Sequence, residues 1–346
     1  MKKLFFSLIA AAIGALGMYA QTNLVATLSH GSNIQEFYGP SALSEAYTTA
    51  ENGDVITLSP GTFNSITLEK AITVRGSGMC ETEDGAVEPT YLIGGSTINV
   101  PSETANFLTL ENLQFNSVLN IYGDNLSAAT FAKCYFAKNV YCLGCNALFM
   151  SCFFSSPLFS NAYEIIGSAS VIRKNTVVTC RNSVVKGISC HGQNYANYAT
   201  LELDNCVYGG NNAGPLNETT LKNCIILNIS SKEFDFPESS TVIKCVAINK
   251  YPDSQIFNSH SDGGNVIADG FEAVFQTLRE FDFGREERFL LTEEAAAKYL
   301  GSDGTQVGIY GGYMPYDPTP ASPHVKKFSV KNTTEDGKLR VSLEVE

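Results

Sequence analysis

The chain has 346 residues, 44% of them hydrophobic and 11% aromatic, with no tryptophan and a formal net charge of −12. That hydrophobic content, without any low-complexity tract, excludes a disordered chain. The acidic balance repels phosphate backbones, so nucleic acid is not an expected partner. The length suits one long domain.

Residues 1–20 carry Lys2 and Lys3, then an apolar run, then the small residue Ala20. This is the pattern of a secretory signal peptide cleaved after Ala20, too short to serve as a spanning helix. The expected destination is the periplasm, the cell surface or the extracellular space, with no membrane span after cleavage. Residues 21–40 read as a linker and a first strand. Ser41 to Ala50 sets Leu43, Ala46, Tyr47 and Ala50 at helical spacing and stops at Asn52-Gly53, which predicts a short amphipathic helix. Strand patterns follow at Val55–Leu58, Ile66–Leu68 and Ile72–Val74. A helix placed before them would cover the open end of a hydrophobic stack.

Beyond residue 110 one short pattern recurs. Its copies are Leu110-Glu-Asn-Leu-Gln-Phe115, Phe131-Ala-Lys-Cys-Tyr-Phe136, Phe149-Met-Ser-Cys-Phe-Phe154, Lys174-Asn-Thr-Val-Val178, Leu203-Asp-Asn-Cys-Val-Tyr208, Leu221-Lys-Asn-Cys-Ile-Ile-Leu227 and Val242-Ile-Lys-Cys-Val-Ala247. They align on Leu113, Cys134, Cys152, Thr176, Cys206, Cys224 and Cys245, and recurrence at roughly this period marks a solenoid. Three residues before the aligned position lies an apolar side chain, with Arg173 the exception, and two after it another. Inward residues alternate along a strand, so an interval of three needs a bend. Asn stands just before the aligned position at Asn112, Asn175, Asn205 and Asn223, and Asn tolerates the left-handed conformation of a sharp corner. Each copy therefore reads as strand, corner, strand, and stacked copies give a parallel β-helix. Five of the ten cysteines fill the same inward slot, where they serve as a ladder of free, small apolar fillers. Cys142-Leu-Gly-Cys145 reads as structural or as a local disulfide rather than as half a zinc site.

Residues 79–95 break the rhythm with acidic side chains and read as a surface excursion. So does the stretch from 255 to 300, which ends in a short capped helix from Thr292 to Leu300. The prolines of 315–324 mark a linker, and 325–346 alternate as a hairpin that must pack on the solenoid or on a protein partner. The β-helix is expected to occupy residues 21–314.

Several of these stretches resemble a known family. Ala50-Glu-Asn-Gly-Asp54, Ile56-Thr-Leu-Ser-Pro-Gly-Thr-Phe63 and Ile72-Thr-Val-Arg-Gly76 resemble the entry to pectin-lyase-like β-helix proteins, with Phe63 where Tyr is usual. Gly301 to Gly312 resembles the closing coil of exported β-helix proteins of the Bacteroidetes type. The resemblance implies an all-β chain folded as a right-handed single-stranded parallel β-helix, with an N-terminal capping helix and a short C-terminal hairpin. Glu164–Ser170, Asn175–Cys180, Cys190-His-Gly192 and Asn205–Gly210 look like the catalytic coils of the chondroitinase-B/alginate-lyase family. By that likeness the family's lysine falls at Ala169 and its arginine at Cys190, which implies a non-catalytic relative or one that uses other cations.

The residues themselves point the same way. Glycan hydrolysis needs paired carboxylates, and residues 112–201 contain only Asp124 and Glu164. The same scarcity argues against calcium, so no metal site or cofactor is expected. A net-positive band remains, in which Lys186, Arg173 and His191 are the candidates for lyase chemistry. Arg181 and the loop residues Tyr195 and Tyr198 are candidates for holding a sugar by charge, stacking and hydrogen bonds. The leading expectation is polysaccharide binding or surface interaction without catalysis. The alternatives are a lyase acting on a uronate-containing glycan and a structural, adhesin-like protein.

Overall fold

The computed structural model describes residues 24–319 apart from 81–87, 101, 103–106, 124–126, 157, 162, 167–168, 173–175, 192–198, 210–218, 229–235, 252 and 282–286. It also describes the backbone of 325–330 and 341–345. The signal-peptide reading thus lies outside the described residues.

The chain is a parallel β-solenoid. Its coils stack into three sheets, of eleven, ten and six strands. Between the first sheet and the second, the coils from the strand Leu108–Glu111 onward turn through a single residue of positive φ: Asn112, Lys133, Ser151, Asn182, Asn205, Asn223 and Lys244, all between +47° and +56°. The residue after each corner points inward. Cys134, Cys152, Cys206, Cys224 and Cys245 occupy that slot and are fully buried, and all five thiols are free. Cys134, Cys152, Cys206 and Cys224 each donate to two main-chain carbonyls, one two residues back and one on the coil beneath, at 3.1–3.5 Å. Cys142 and Cys145 are buried free thiols as well.

The expected alignment is displaced in one copy. The corner is Asn182 rather than Asn175, which lies outside the described residues, and Thr176 opens the first-sheet strand Thr176–Arg181 instead of following a bend. Ser183 takes the slot, its hydroxyl donating to the Arg181 carbonyl at 2.8 Å as the thiols do. The inward residue three before it is then Cys180, fully buried, so the apparent exception at Arg173 disappears.

Between the first two sheets the interior is aromatic. Phe115, Phe136 and Phe154 stack in register on the second sheet, with centroids 5.2 and 4.7 Å apart, and Phe131 stacks on Phe149 at 4.8 Å from the first. The two columns meet edge to face, as between Phe149 and Phe154 at 5.0 Å, the geometry that ring quadrupoles favour.

Both ends of the stack are closed. At the start, the hairpin Val25–His30 and Asn33–Tyr38 extends the first sheet antiparallel to Val55–Leu58. The helix Ala42–Thr49 buries Ala42, Leu43 and Ala46 over the opening. Lys70 Nζ donates to the Tyr47, Thr48 and Ala50 carbonyls, satisfying the helix C-terminus with a cation where its dipole favours one. At the far end Phe236, Ile256 and Phe257 join the same core.

Residues 268–281 and 287–309 cover the outer face of the second sheet from Phe153 to Ile248. Phe153, Val184, Val207, Ile225, Leu227, Val246 and Ile248 point outward there, yet are buried beneath Val274, Phe275, Leu278, Phe289, Leu291 and Tyr299. The helix Glu293–Lys298 in this cover is capped by the Thr292 hydroxyl, which accepts from Ala295 N at 3.0 Å. The expected covering excursion is therefore present.

The segment Gly301 to Gly312 adds no strand to the three sheets and is not a closing coil. It runs as a strap along the line of corners. Ser302 N and Oγ donate to Asn223 Oδ1 at 2.7 and 3.1 Å, and Asn182 Nδ2 donates to the Ile309 and Gly311 carbonyls at 2.9 and 2.8 Å. Further on, Lys133 Nζ reaches Asp317 Oδ2 at 3.1 Å and the Thr319 carbonyl at 2.6 Å. Burial pushes the Asp317 carboxyl up, but the Thr319 N–H and hydroxyl and the Lys133 ammonium draw it below its ordinary value. A Cβ on Gly312 would lie 2.5 Å from Asn205 Nδ2, so only glycine lets the strap pass this corner. The C-terminal strands Val325–Val330 and Val341–Val345 pair antiparallel, as the alternation predicts.

Two predictions follow from the corners and the slots. Asn223→Gly keeps the left-handed corner but loses the strap bonds, at about 1–3 kcal/mol. Asn223→Ala adds the cost of a non-glycine side chain in that conformation, about 1–2 kcal/mol more. Denaturant unfolding should therefore rank wild type above Gly above Ala. The second concerns the thiols. Burial raises Cys134, Cys142, Cys180, Cys206 and Cys245 well above the ordinary thiol value. These thiols stay protonated in the folded chain while the unfolded chain ionises near ~8.5. Stability is thus full below that pH and falls as pH rises above it, by at most about 1.4 kcal/mol per pH unit for each thiol. Unfolding midpoints measured on either side of that pH should show the decline.

Candidate functional site

The cover over the second sheet and the strap along the corners leave the first sheet's outer face in solvent. Its residues stand in columns, because parallel rungs in register place equivalent side chains above one another about 4.8 Å apart. One column runs Thr73, Thr109, Thr130, Leu148, Thr179, Glu202, Thr220 and Thr241. The column nearer the strand starts holds Ala128, Asn146, Val177 and Thr200. Between the two columns lies a shallow groove of about 220 Å³, lined by Phe107, Thr130, Asn146, Leu148, Val177 and Thr179. It spans three successive rungs along the solenoid axis, with the exposed Phe107 ring at its lower end.

The column at the strand ends, by the corners, carries the charges Arg75, Glu111, Arg181, Asp204 and Lys222. Arg75 Nε donates to Glu111 Oε2 at 2.7 Å. Arg181 and Lys222 flank Asp204 on the adjacent rungs. Burial raises the Asp204 carboxyl above its ordinary value, and the nearby Cys224 adds to this. The Asn223 amide at 3.1 Å and the two cations pull against it. Glu202 accepts from the Thr179 hydroxyl at 3.4 Å.

The long connections between coils enter at the other edge of this face. The third-sheet strand Leu158–Asn161 is separated from Thr176–Arg181 by the small antiparallel hairpin of Tyr163–Ile166 and Ala169–Ile172. The strand Ile188–His191 is separated from Ala199–Asp204 by residues 192–198. Phe107 immediately precedes the first-sheet strand Leu108–Glu111. The groove thus borders the edge where these coils vary in length, whereas the corners from Asn112 to Lys244 each take a single residue.

The charged candidates are distributed around the coil. Arg181 is exposed at the end of a first-sheet strand, and Lys186 follows the second-sheet strand Val184–Val185 at intermediate exposure. His191 ends a third-sheet strand in register with Asn161, and its side chain lies outside the described residues. Arg173, Tyr195 and Tyr198 also lie outside the described residues, in connections that lead into first-sheet strands. The structure brings Arg181 beside Asp204, and it places Arg181, Lys186 and His191 on three different sheets. No group of three or more potential metal ligands forms among the described residues. Among them, too, no helix is long and apolar enough to cross a membrane.

Phe107, Asn146 and the threonine column were not singled out from the sequence. Their signal is present: threonine stands four residues before the slot at Thr109, Thr130, Thr179, Thr220 and Thr241. The displaced alignment hid one member, since it placed Ile172 where Thr179 belongs.

Comparison with protein-family models, with curated proteins and with solved structures finds no match.

The groove residues are outward and their side chains lie over, not within, the core. Phe107→Ala and Thr130→Ala should therefore each change unfolding stability by less than about 0.5 kcal/mol, as surface substitutions do. Thermal or denaturant unfolding checks this directly.

Proposed function

We propose that this chain is an exported β-solenoid that binds polysaccharide along the outer face of its first sheet, without catalysing its cleavage. The observation that carries the reading is the groove beside Phe107, across three rungs of an open face, in a molecule whose second sheet is covered from Phe153 to Ile248 by its own C-terminal segment. An aromatic ring together with hydroxyl and amide groups is what a sugar ring requires: an apolar face to stack on and partners for its hydroxyls. A stack of coils also presents these groups repetitively, which suits a repetitive ligand. The kinship with pectin-lyase-like proteins and the secretory signal belong to this same proposal and fit a target outside the cell.

Lyase chemistry needs a base and a neutralising cation on one substrate. Of the candidates for it, Arg173 lies outside the described residues, Lys186 follows a second-sheet strand and His191 ends a third-sheet strand, and no observation favours that alternative. Affinity electrophoresis through gels containing polysaccharide tests the binding reading. Wild type should be retarded by at least one glycan while releasing no unsaturated uronate absorbance. Phe107→Ala should lose about tenfold in affinity, the equivalent of 1.4 kcal/mol. Retardation unchanged by Phe107→Ala would move the binding surface elsewhere, and appearance of the absorbance would replace binding with lysis.

A further inference from the structure

The chemistry of the groove narrows the class of glycan, on the reading that this face binds one. None of Phe107, Thr130, Asn146, Leu148, Val177 and Thr179 is ionisable. Uronate and sulfated chains carry a charge on successive residues and need cations spaced along their path. On the described part of this face the cations stand at the strand ends by the corners, away from the groove lining, and each has a carboxylate beside it. Arg75 is bound to Glu111, and Arg181 and Lys222 flank Asp204 on neighbouring rungs. Glu202 stands in the threonine column itself, one rung beyond Thr179, and the molecule as a whole carries −12. A polyanion would meet repulsion here and no unmatched cation along the groove.

An uncharged chain meets neither problem. The groove runs along the solenoid axis, across rungs about 4.8 Å apart. This spacing is comparable to the advance of one pyranose ring in an extended chain. Thr130, Leu148 and Thr179 therefore present a hydroxyl, an apolar and a hydroxyl group at intervals that successive sugars reproduce. Asn146 adds an amide from the adjacent column, and Phe107 closes the lower end with an exposed ring face. From this geometry we infer that the groove takes a neutral polysaccharide, lying lengthwise along the stack and covering about three sugar residues.

The experiment is affinity electrophoresis of the full chain through two sets of gels. One set contains neutral polysaccharides (a mannan, a β-glucan, a galactan). The other contains acidic ones (polygalacturonate, alginate, chondroitin sulfate). Each set is run at low and at high salt. The expected result is retardation in at least one neutral gel, unchanged by salt and weakened about tenfold by Phe107→Ala and by Thr130→Glu. Retardation confined to acidic gels and abolished by salt would overturn the neutral assignment while leaving the binding reading intact. No retardation in any gel would overturn the binding reading itself, and the neutral assignment with it.

Discussion

One residue per coil in the left-handed conformation fixes nearly everything else in this molecule. A first-sheet strand must turn into a second-sheet strand without losing register with the coil below, and a single residue of positive φ achieves this at each corner from Asn112 to Lys244. The corner residue's main-chain N–H then donates to a carbonyl of the coil above, as Asn205 does to Lys222 at 3.0 Å and Asn223 does to Ile243 at 3.0 Å. Because the bend is the same each time, the following side chain always points inward, and the slot holds Leu113 in the first of these coils and a cysteine or serine in the others. Cysteine suits that slot because its thiol is apolar enough to bury and can still donate weakly to main-chain carbonyls.

The same corners serve a second purpose. Asparagine side chains at the bend stand outward with both a donor and an acceptor, and Asn182 and Asn223 spend them on the strap. The two hydrophobic clusters follow from this arrangement. One fills the solenoid, and the other lies between the second sheet and the C-terminal cover. A strand buried on both faces should read as continuously apolar. Ile225–Asn228 and Val246–Asn249 do so, whereas first-sheet strands alternate. The asymmetry between a sheet buried on both faces and one buried on a single face leaves the first sheet's outer side open along the stack.

Much of this was legible in the residues. The recurring corner and slot specified parallel coils, and the helix at Ala42–Thr49 followed from its spacing. One copy misled, because Asn175-Thr-Val-Val imitates a corner and its strand while the real bend lies at Asn182. Of the third sheet only Thr67–Leu68 was legible, within the expected strand Ile66–Leu68: strands such as Leu119–Tyr122 and Val140–Leu143 have no fixed corner residue to announce them. The strap was unreadable for another reason. Its string of glycines matters only through contacts with side chains more than 70 positions away, such as that of Ser302 with Asn223. On the open face, the threonine column could have been found once the register was right. Phe107 could not, since its position depends on how one connection enters the sheet.

The strap also decides how the molecule carries mechanical load. A pull transmitted from the residues beyond Thr319 reaches the Lys133 contacts first, then those of Asn182, then those of Asn223. Tension therefore works on a few bonds at a time, travelling up the stack like a peeling seam, and the strand ladders of the coils are loaded only after the seam has opened. The tail is thus placed to yield in steps while the outer face of the first sheet keeps its shape.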